Sequence, residues 1–255
     1  MFYFSSNSPA WTGIEHTAAG GLSLQSYIYS AHTNKLKKQT KNLFLRNTLS
    51  VWHAVHAYTE DIIRYRAPQL VVNFLNDHFC GNREEVQVLD VACGSGLAAK
   101  LRGFRHFVGV DGSKGMLEQA AKTSLYQDLK LALLGTDPLP AETGQFDVVM
   151  IIGALRDGFV PVSVIRELCN ATKPGGFVCM SRVDPKSESG DKYKASMEQE
   201  LQLMVEEGLW SLVDTKELNR YMLDVYNDKS KKEEDEEYLH GTMYLYRKSL
   251  NKIII

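Results

Sequence analysis

Several things are scarce in this sequence, and each scarcity removes a class of function. No stretch reaches the ~18 consecutive apolar residues that a membrane-crossing helix requires, so no membrane span is expected. The opening MFYFSSNSPAW has neither a basic start nor a sustained apolar stretch, and no secretory leader is expected from it. Cysteine is limited to Cys80, Cys93, Cys169 and Cys179, with no CxxC pair and no histidines at zinc spacing. That pattern argues against a redox motif or a structural metal and for reduced thiols in a cytoplasmic protein, a nuclear location also being compatible. An excess of one charge is missing too: 29 Lys and Arg stand against 31 Asp and Glu, a net charge of -2. Nucleic acid is therefore not indicated as a partner, because a phosphate-binding surface normally brings a basic excess.

What is present is ordinary globular material. With 44% hydrophobic and 24% charged residues over 255 positions, the chain can bury one sizeable α/β core and has little room for a second full domain. Residues 1–48 show no sustained period and carry the basic run KLKKQTK at 35–41, so they are expected to form a solvated extension or a docking segment. A single domain is expected over 49–250. From Val51 to Phe79 apolar residues recur at helical spacing, and Pro68 opens the second of two helices. That segment can close over a ligand, with Tyr58 as its aromatic, or simply pack on the core.

Strands and helices then alternate. Val86–Val91, Phe107–Asp111, Leu129–Leu134, Phe146–Ile152 and Phe177–Arg182 read as strands. Helices are expected from Leu97, over Lys114–Lys122 and over Val162–Ala171, the last one ended by Lys173-Pro174-Gly175-Gly176. Alternation of this kind implies right-handed crossovers and a doubly wound, mostly parallel sheet with helices on both faces. A helix near 191–207 and two alternating strands, Leu218–Asp224 and Thr242–Lys248, close the domain. The charge run DKSKKEEDEE at 228–237 is expected to loop out between these strands, as a solvated loop or a partner-binding one.

The chemistry centres on VLDVACGSGLAA, residues 88–99. Gly94 and Gly96 fall just past a strand, where a tight turn and a close ligand approach both favour a missing Cβ. The spacing Gly94-x-Gly96-x-x-Ala99 also fits a dinucleotide fingerprint, and Asp111 lies near the expected distance for its ribose acid. Asp90 separates the two readings. A carboxylate at the strand end repels a pyrophosphate but attracts the ammonium and sulfonium of S-adenosyl-L-methionine. Asp111 can accept from both ribose hydroxyls, or cap the helix that starts near Ser113. Met116 can cover an adenine face or fill core, and Thr136 and Asp137 follow strand three where polar groups would meet the adenine amine. Ala92 and Ile152 complete the set expected at this crevice.

The blocks RYRAPQLVV, VLDVACGSGLAA, GVDGSKGMLEQA, FDVVMIIGAL and TKPGGFVCMSR resemble the class I S-adenosylmethionine-dependent methyltransferases over about residues 50–215. The resemblance implies a Rossmann-like seven-stranded sheet with its last strand antiparallel. It also implies cofactor contacts at Asp90, Gly94, Gly96 and Asp111. One departure stands out: many relatives carry Asp where this chain has Gly135, in LLGTDPLP, so Thr136, Asp137 or backbone would have to meet the adenine.

Methyl transfer can rest largely on alignment, so a general base need not be visible. After strand four the chain reads GALRDGF, without the NPPY-like or DPPY-like sequences that hold an exocyclic base amine, and Arg156 and Asp157 are pocket or loop residues. Cys93 is expected to pack rather than react, and His53 and His56 lack a third ligand for a metal. Three functions remain open: methyl transfer to a small-molecule or protein acceptor, cofactor binding without catalysis as a sensor or scaffold, and nicotinamide-dependent dehydrogenation.

Overall fold

A computed structural model describes residues 64–100, 103–184, 186–224 and 238–250. Helix α1, Ala67–His78, carries Pro68 in its first turn, where the missing N–H costs no hydrogen bond, and buries Ala67, Val71, Val72, Phe74 and Leu75 along one stripe. Strands β1 (Gln87–Val91), β2 (His106–Asp111) and β4 (Phe146–Ile152) are buried almost throughout, as parallel strands covered on both faces must be. Helices α2 (Lys114–Lys122), α3 (Val164–Ala171) and α4 (Glu188–Glu206) alternate with β3 (Tyr126–Leu131) and β5 (Thr172–Val183). Strands β6 (Trp210–Leu223) and β7 (Tyr238–Lys248) finish the sheet.

The seven strands lie in the order β3-β2-β1-β4-β5-β7-β6. All neighbouring pairs from β3 to β5 are parallel, and β7 runs antiparallel between β5 and β6. One core cluster packs α1 against the sheet through Val71, Phe74, Val148 and Cys179; another packs α3 and α4 through Ile165, Leu168, Met197 and Met180. Helices thus cover both faces. The chain winds outward from β1 to β3 and then returns to β4, so the strand order reverses between β1 and β4, and a crevice opens at their carboxyl ends.

Four local expectations shift. Strand β3 sits three residues earlier than the apolar run LALL suggests. It is an edge strand with a mostly polar surface, and Ala132 and Leu134 of that run bury in the exit turn instead. After the glycine turn, the described chain forms one 3-10 turn, Ala98–Lys100, and only fourteen residues, 92–105, link β1 to β2. The KPGG segment is the start of β5: pairing with β4 jumps from Thr172 to Phe177, so Pro174 falls in an unpaired stretch where its missing N–H does no harm. Strands β6 and β7 are longer than expected, β6 carrying two bulges. The extension 1–48, the first expected helix with Tyr58, His53 and His56, and the charge run 228–237 lie outside the described residues.

Candidate functional site

Two carboxylates stand side by side at the ends of β1 and β2. Asp90 pairs in register with Gly109, and Asp111 is the last residue of β2; both are buried. Asp111 braces the loops above it. Its Oδ2 accepts the Gly94 N–H at 2.9 Å and its Oδ1 accepts the Ser113 N–H at 2.8 Å. The Ser113 hydroxyl makes no cap for α2, and near that helix Asp111 reaches only the amide of Ser113, the residue just before it. A carboxylate offers about four lone-pair sites, and each Asp111 oxygen therefore keeps capacity for a second donor.

Asp90 is held from the other side. The Tyr126 hydroxyl, reaching in from β3, donates to its Oδ2 at 2.6 Å. The same ring lies against the glycine turn: a Cβ on Gly96, whose φ is +84°, would come within 2.9 Å of Tyr126 Cε2. Gly94 has φ +57° and Ala92 φ +55°, so the turn is built from left-handed backbone that brings amides close to whatever occupies the crevice.

Burial pushes the Asp90 carboxyl up to about 7; the Tyr126 hydrogen bond opposes the shift and the neighbouring Asp111 adds to it. Burial raises Asp111 as well, against the pull of the Gly94 and Ser113 amides. Among the described residues no lysine or arginine pairs with either acid. Two buried carboxylates without a counter-cation favour a cationic ligand or a proton and disfavour a phosphate. Cys93, inside the turn, is a buried thiol pushed well up by burial and then by both acids, which removes it as a nucleophile.

The remaining expected residues spread around this centre. Met116 is buried in the first turn of α2. Ile152 closes β4, and its carbonyl accepts from the Tyr65 hydroxyl at 3.3 Å. Asp137 is committed to its own turn: its carboxylate accepts the Leu133 N–H at 2.9 Å and its amide donates back to Leu133 at 2.8 Å. Gly135 explains its own departure from the family pattern. Its φ is +86°, and a Cβ there would sit 2.2 Å from Pro161 Cγ, so no aspartate fits without moving the loop after β4. Gly135→Ala is expected to cost on the order of 2 kcal/mol from left-handed strain and overpacking, read as a lower urea midpoint; an unchanged midpoint would mean that Pro161 yields freely.

A separate cavity of about 630 Å³ opens between the turn after β3, the loop after β4 and the first half of α4. Thr136, Arg156, Asp157, Phe159 and Tyr193 line it. The structure therefore gathers Asp90, Gly94, Gly96 and Asp111 at one turn, and places Thr136 with Arg156 and Asp157 on this second wall. The local sequence does not mark Tyr126, nor a polar pair at the end of β4 and β5. There Tyr221 and Ser181 share a hydrogen bond of 3.0 Å, and Tyr65 meets Tyr221 edge-on at 5.8 Å. Tyr65 was legible only as a helical apolar position, since nothing local tells which strand end its hydroxyl will reach.

A family model described as a methyltransferase domain matches residues 82–239. Human methyltransferase-like protein 27 is 47% identical over 158 residues, which are 60% of this chain and 63% of that protein. The ubiquinone biosynthesis O-methyltransferase of Marinobacter nauticus is 35% identical over 113 residues, 40% of this chain and 46% of that protein. The matched region thus spans less than two thirds of these relatives. Among solved structures, the [4+2]-cyclase SpnF superposes with a TM-score of 0.53 at 18% identity, covering 72% of this chain and 81% of its own, a likeness of fold.

Proposed function

The chain belongs to the methyltransferase-domain family, and from that premise we propose that it is an S-adenosyl-L-methionine-dependent methyltransferase acting on a small-molecule or protein acceptor. One observation carries the reading: the paired, buried and uncompensated carboxylates Asp90 and Asp111 beneath a left-handed glycine turn. That donor set fits a cofactor bearing an ammonium, a sulfonium and a ribose, and no phosphate. When bound, the cofactor supplies an electrophilic methyl group whose carbon–sulfur bond breaks with its electron pair left on sulfur.

The chain's own residues bind and align. Asp90 offers its carboxylate to the ammonium, and Tyr126 fixes its orientation through Oδ2. Asp111 offers the free lone pairs of its two oxygens to the ribose hydroxyls while holding Gly94 and Ser113 in place. The turn over Gly94 and Gly96 lets backbone approach the ligand closely. Half-buried Ala92 and buried Met116 and Ile152 would wall the crevice, with Thr136 at its outer rim. Alignment at near-attack distance supplies much of the rate for an in-line displacement. The free buried thiols Cys93, Cys169 and Cys179 support a reducing, cytoplasmic setting, and no described helix is long and apolar enough to cross a membrane.

Calorimetry with S-adenosylhomocysteine and with NADH tests the binding half. Binding of the first alone is expected, and binding of NADH alone would overturn the reading. Transfer of labelled methyl into extract fractions, lost in Asp90→Ala, tests the catalytic half. A second reading is a protein that binds the cofactor without transferring its methyl; homocysteine-analogue binding with no label moved into any fraction would establish it.

A further inference from the structure

Gly109 lies inside β2, where neither a turn nor a positive φ calls for glycine, so its missing side chain answers to what packs against it. A Cβ there would come within 2.7 Å of Leu129 Cδ2, 2.9 Å of Tyr126 Cε1 and 3.0 Å of Cys93 Sγ. The opposite edge of the same tyrosine ring lies against the glycine turn, where a Cβ on Gly96 would come within 2.9 Å of Tyr126 Cε2 and 3.4 Å of its hydroxyl. Two glycines thus clear a slot for one ring. Phe107 meets that ring edge-on at 5.9 Å. Register explains its path: Tyr126 starts β3 beside Phe107, Gly109 is the next residue on that face of β2, and Asp90 of β1 pairs with Gly109. The phenol crosses β2 where no side chain blocks it and ends 2.6 Å from Asp90 Oδ2.

That separation lies in the ~2.5–2.7 Å range of a hydroxyl donating to an ionised carboxylate and is short for a neutral pair. Burial first, and Asp90 next, push the Tyr126 phenol well up, so it keeps its proton and serves as a donor. Among the described residues, Asp90 is faced by Asp111 from the end of β2, the Cys93 thiol from the turn, the Tyr65 phenol from ahead of α1, and Tyr126 from β3. Asp111 opposes the ionisation of Asp90, and burial keeps the thiol and Tyr65 protonated. Tyr126 supplies the hydrogen bond that favours the charged form.

We propose that Tyr126 is a positioning residue for cofactor capture: from the edge strand it keeps the Asp90 carboxylate charged and aimed, and so sets the lower end of the pH range over which the crevice takes a cation. The proposal rests on the methyltransferase reading for the identity of that cation, and on the slot and the hydrogen bond for the role of Tyr126. It extends the cofactor site outward to β3 and gives Gly96 a second task, clearance for the ring, in addition to its place in the turn.

Tyr126→Phe in the full chain keeps the ring in its slot and removes only the donor. By calorimetry, its affinity for S-adenosylhomocysteine is expected to be about tenfold or more below the wild type at pH 6.5 and within about fourfold at pH 8.5, because losing a hydrogen bond to a charged group moves the titration up by about one to two pH units. A merely structural defect would weaken binding by the same factor at both pH values. That result, or unchanged affinity at pH 6.5, would overturn the proposal. Urea unfolding without ligand gives a second readout. The wild-type midpoint falls as pH rises and levels off near 7, whereas in Tyr126→Phe the fall is expected to continue to about pH 8 or beyond, since Asp90 holds its proton further up. Placed in Asp90→Asn, Tyr126→Phe should leave the pH trend as it is in Asp90→Asn alone. A fall that ends at the same pH with and without the Tyr126 hydroxyl, or that lengthens equally in Asp90→Asn, overturns the coupling. If the fall lengthens as expected and no form of the protein binds S-adenosylhomocysteine, the link from Tyr126 to Asp90 stands and the methyltransferase reading is what fails.

Discussion

Asp90→Ala is expected to lower affinity for S-adenosylhomocysteine about a hundredfold or more. The carboxylate is 2% exposed, and the ammonium it would face has no other described acid at the end of β1. Removing one member of a buried charge pair costs ~3–5 kcal/mol, and even the lower figure exceeds a hundredfold. Affinity should also depend on pH. Asp90 sits at about 7 when no cation is near, so binding must displace a proton at and below neutrality. Affinity is expected to rise with pH up to about 7 and then level off, with proton release seen as a buffer-dependent enthalpy near pH 6.5. A pH-independent affinity in the wild type would remove Asp90 from the ammonium site.

The same shift sets a stability trend of known sign. Asp90 has a folded pKa above its ordinary 3.8, so between about 4 and 7 the folded protein holds a proton that the unfolded chain has released. Stability of the ligand-free protein therefore falls as pH rises through that window and is flat above it. Asp111, raised in the same direction, adds to the slope. Asp90→Asn, which keeps an oxygen for the Tyr126 hydroxyl, should flatten the slope while leaving the fold intact.

Asp111→Ala is expected to lose ~2–6 kcal/mol of stability, since it leaves the Gly94 and Ser113 amides without their acceptor, at ~1–3 kcal/mol for each orphaned group. Cofactor affinity should fall further than the loss of ribose contacts alone would cause, because the glycine turn and the start of α2 lose their common brace. Asp111→Asn separates the two effects: its carbonyl can serve one amide, but its NH₂ meets the other donor head-on. Urea unfolding beside calorimetry measures both, and full stability in Asp111→Ala would mean that the loops hold themselves.

Strands β1, β2 and β4 and helix α2 could be read directly because continuous apolar runs and a clean helical period leave few alternatives. Strand β3 could not: an edge strand buries little, so the apolar LALL beside it gave the stronger and misleading signal. Asp90, Gly94, Gly96 and Asp111 were legible because strand, turn and acid fall within one short segment. Tyr126 was not, since its reach to Asp90 depends on how β3 pairs with β2, where the register slips between Phe107 and Val108.

The position of β7 has a consequence for the order of assembly. The last described strand to leave the ribosome is not the last in the sheet, since it is inserted between β5 and β6. Until it arrives, β5 presents an open edge and β6 has no neighbour to pair with. The nascent chain can close the glycine-turn half from β1 to β4 early, while the half made of β5, β7 and β6 waits for a long-range, kinetically slow pairing. The glycine-turn side of the crevice is thus expected to become competent during synthesis before the β5–β7–β6 side is in place.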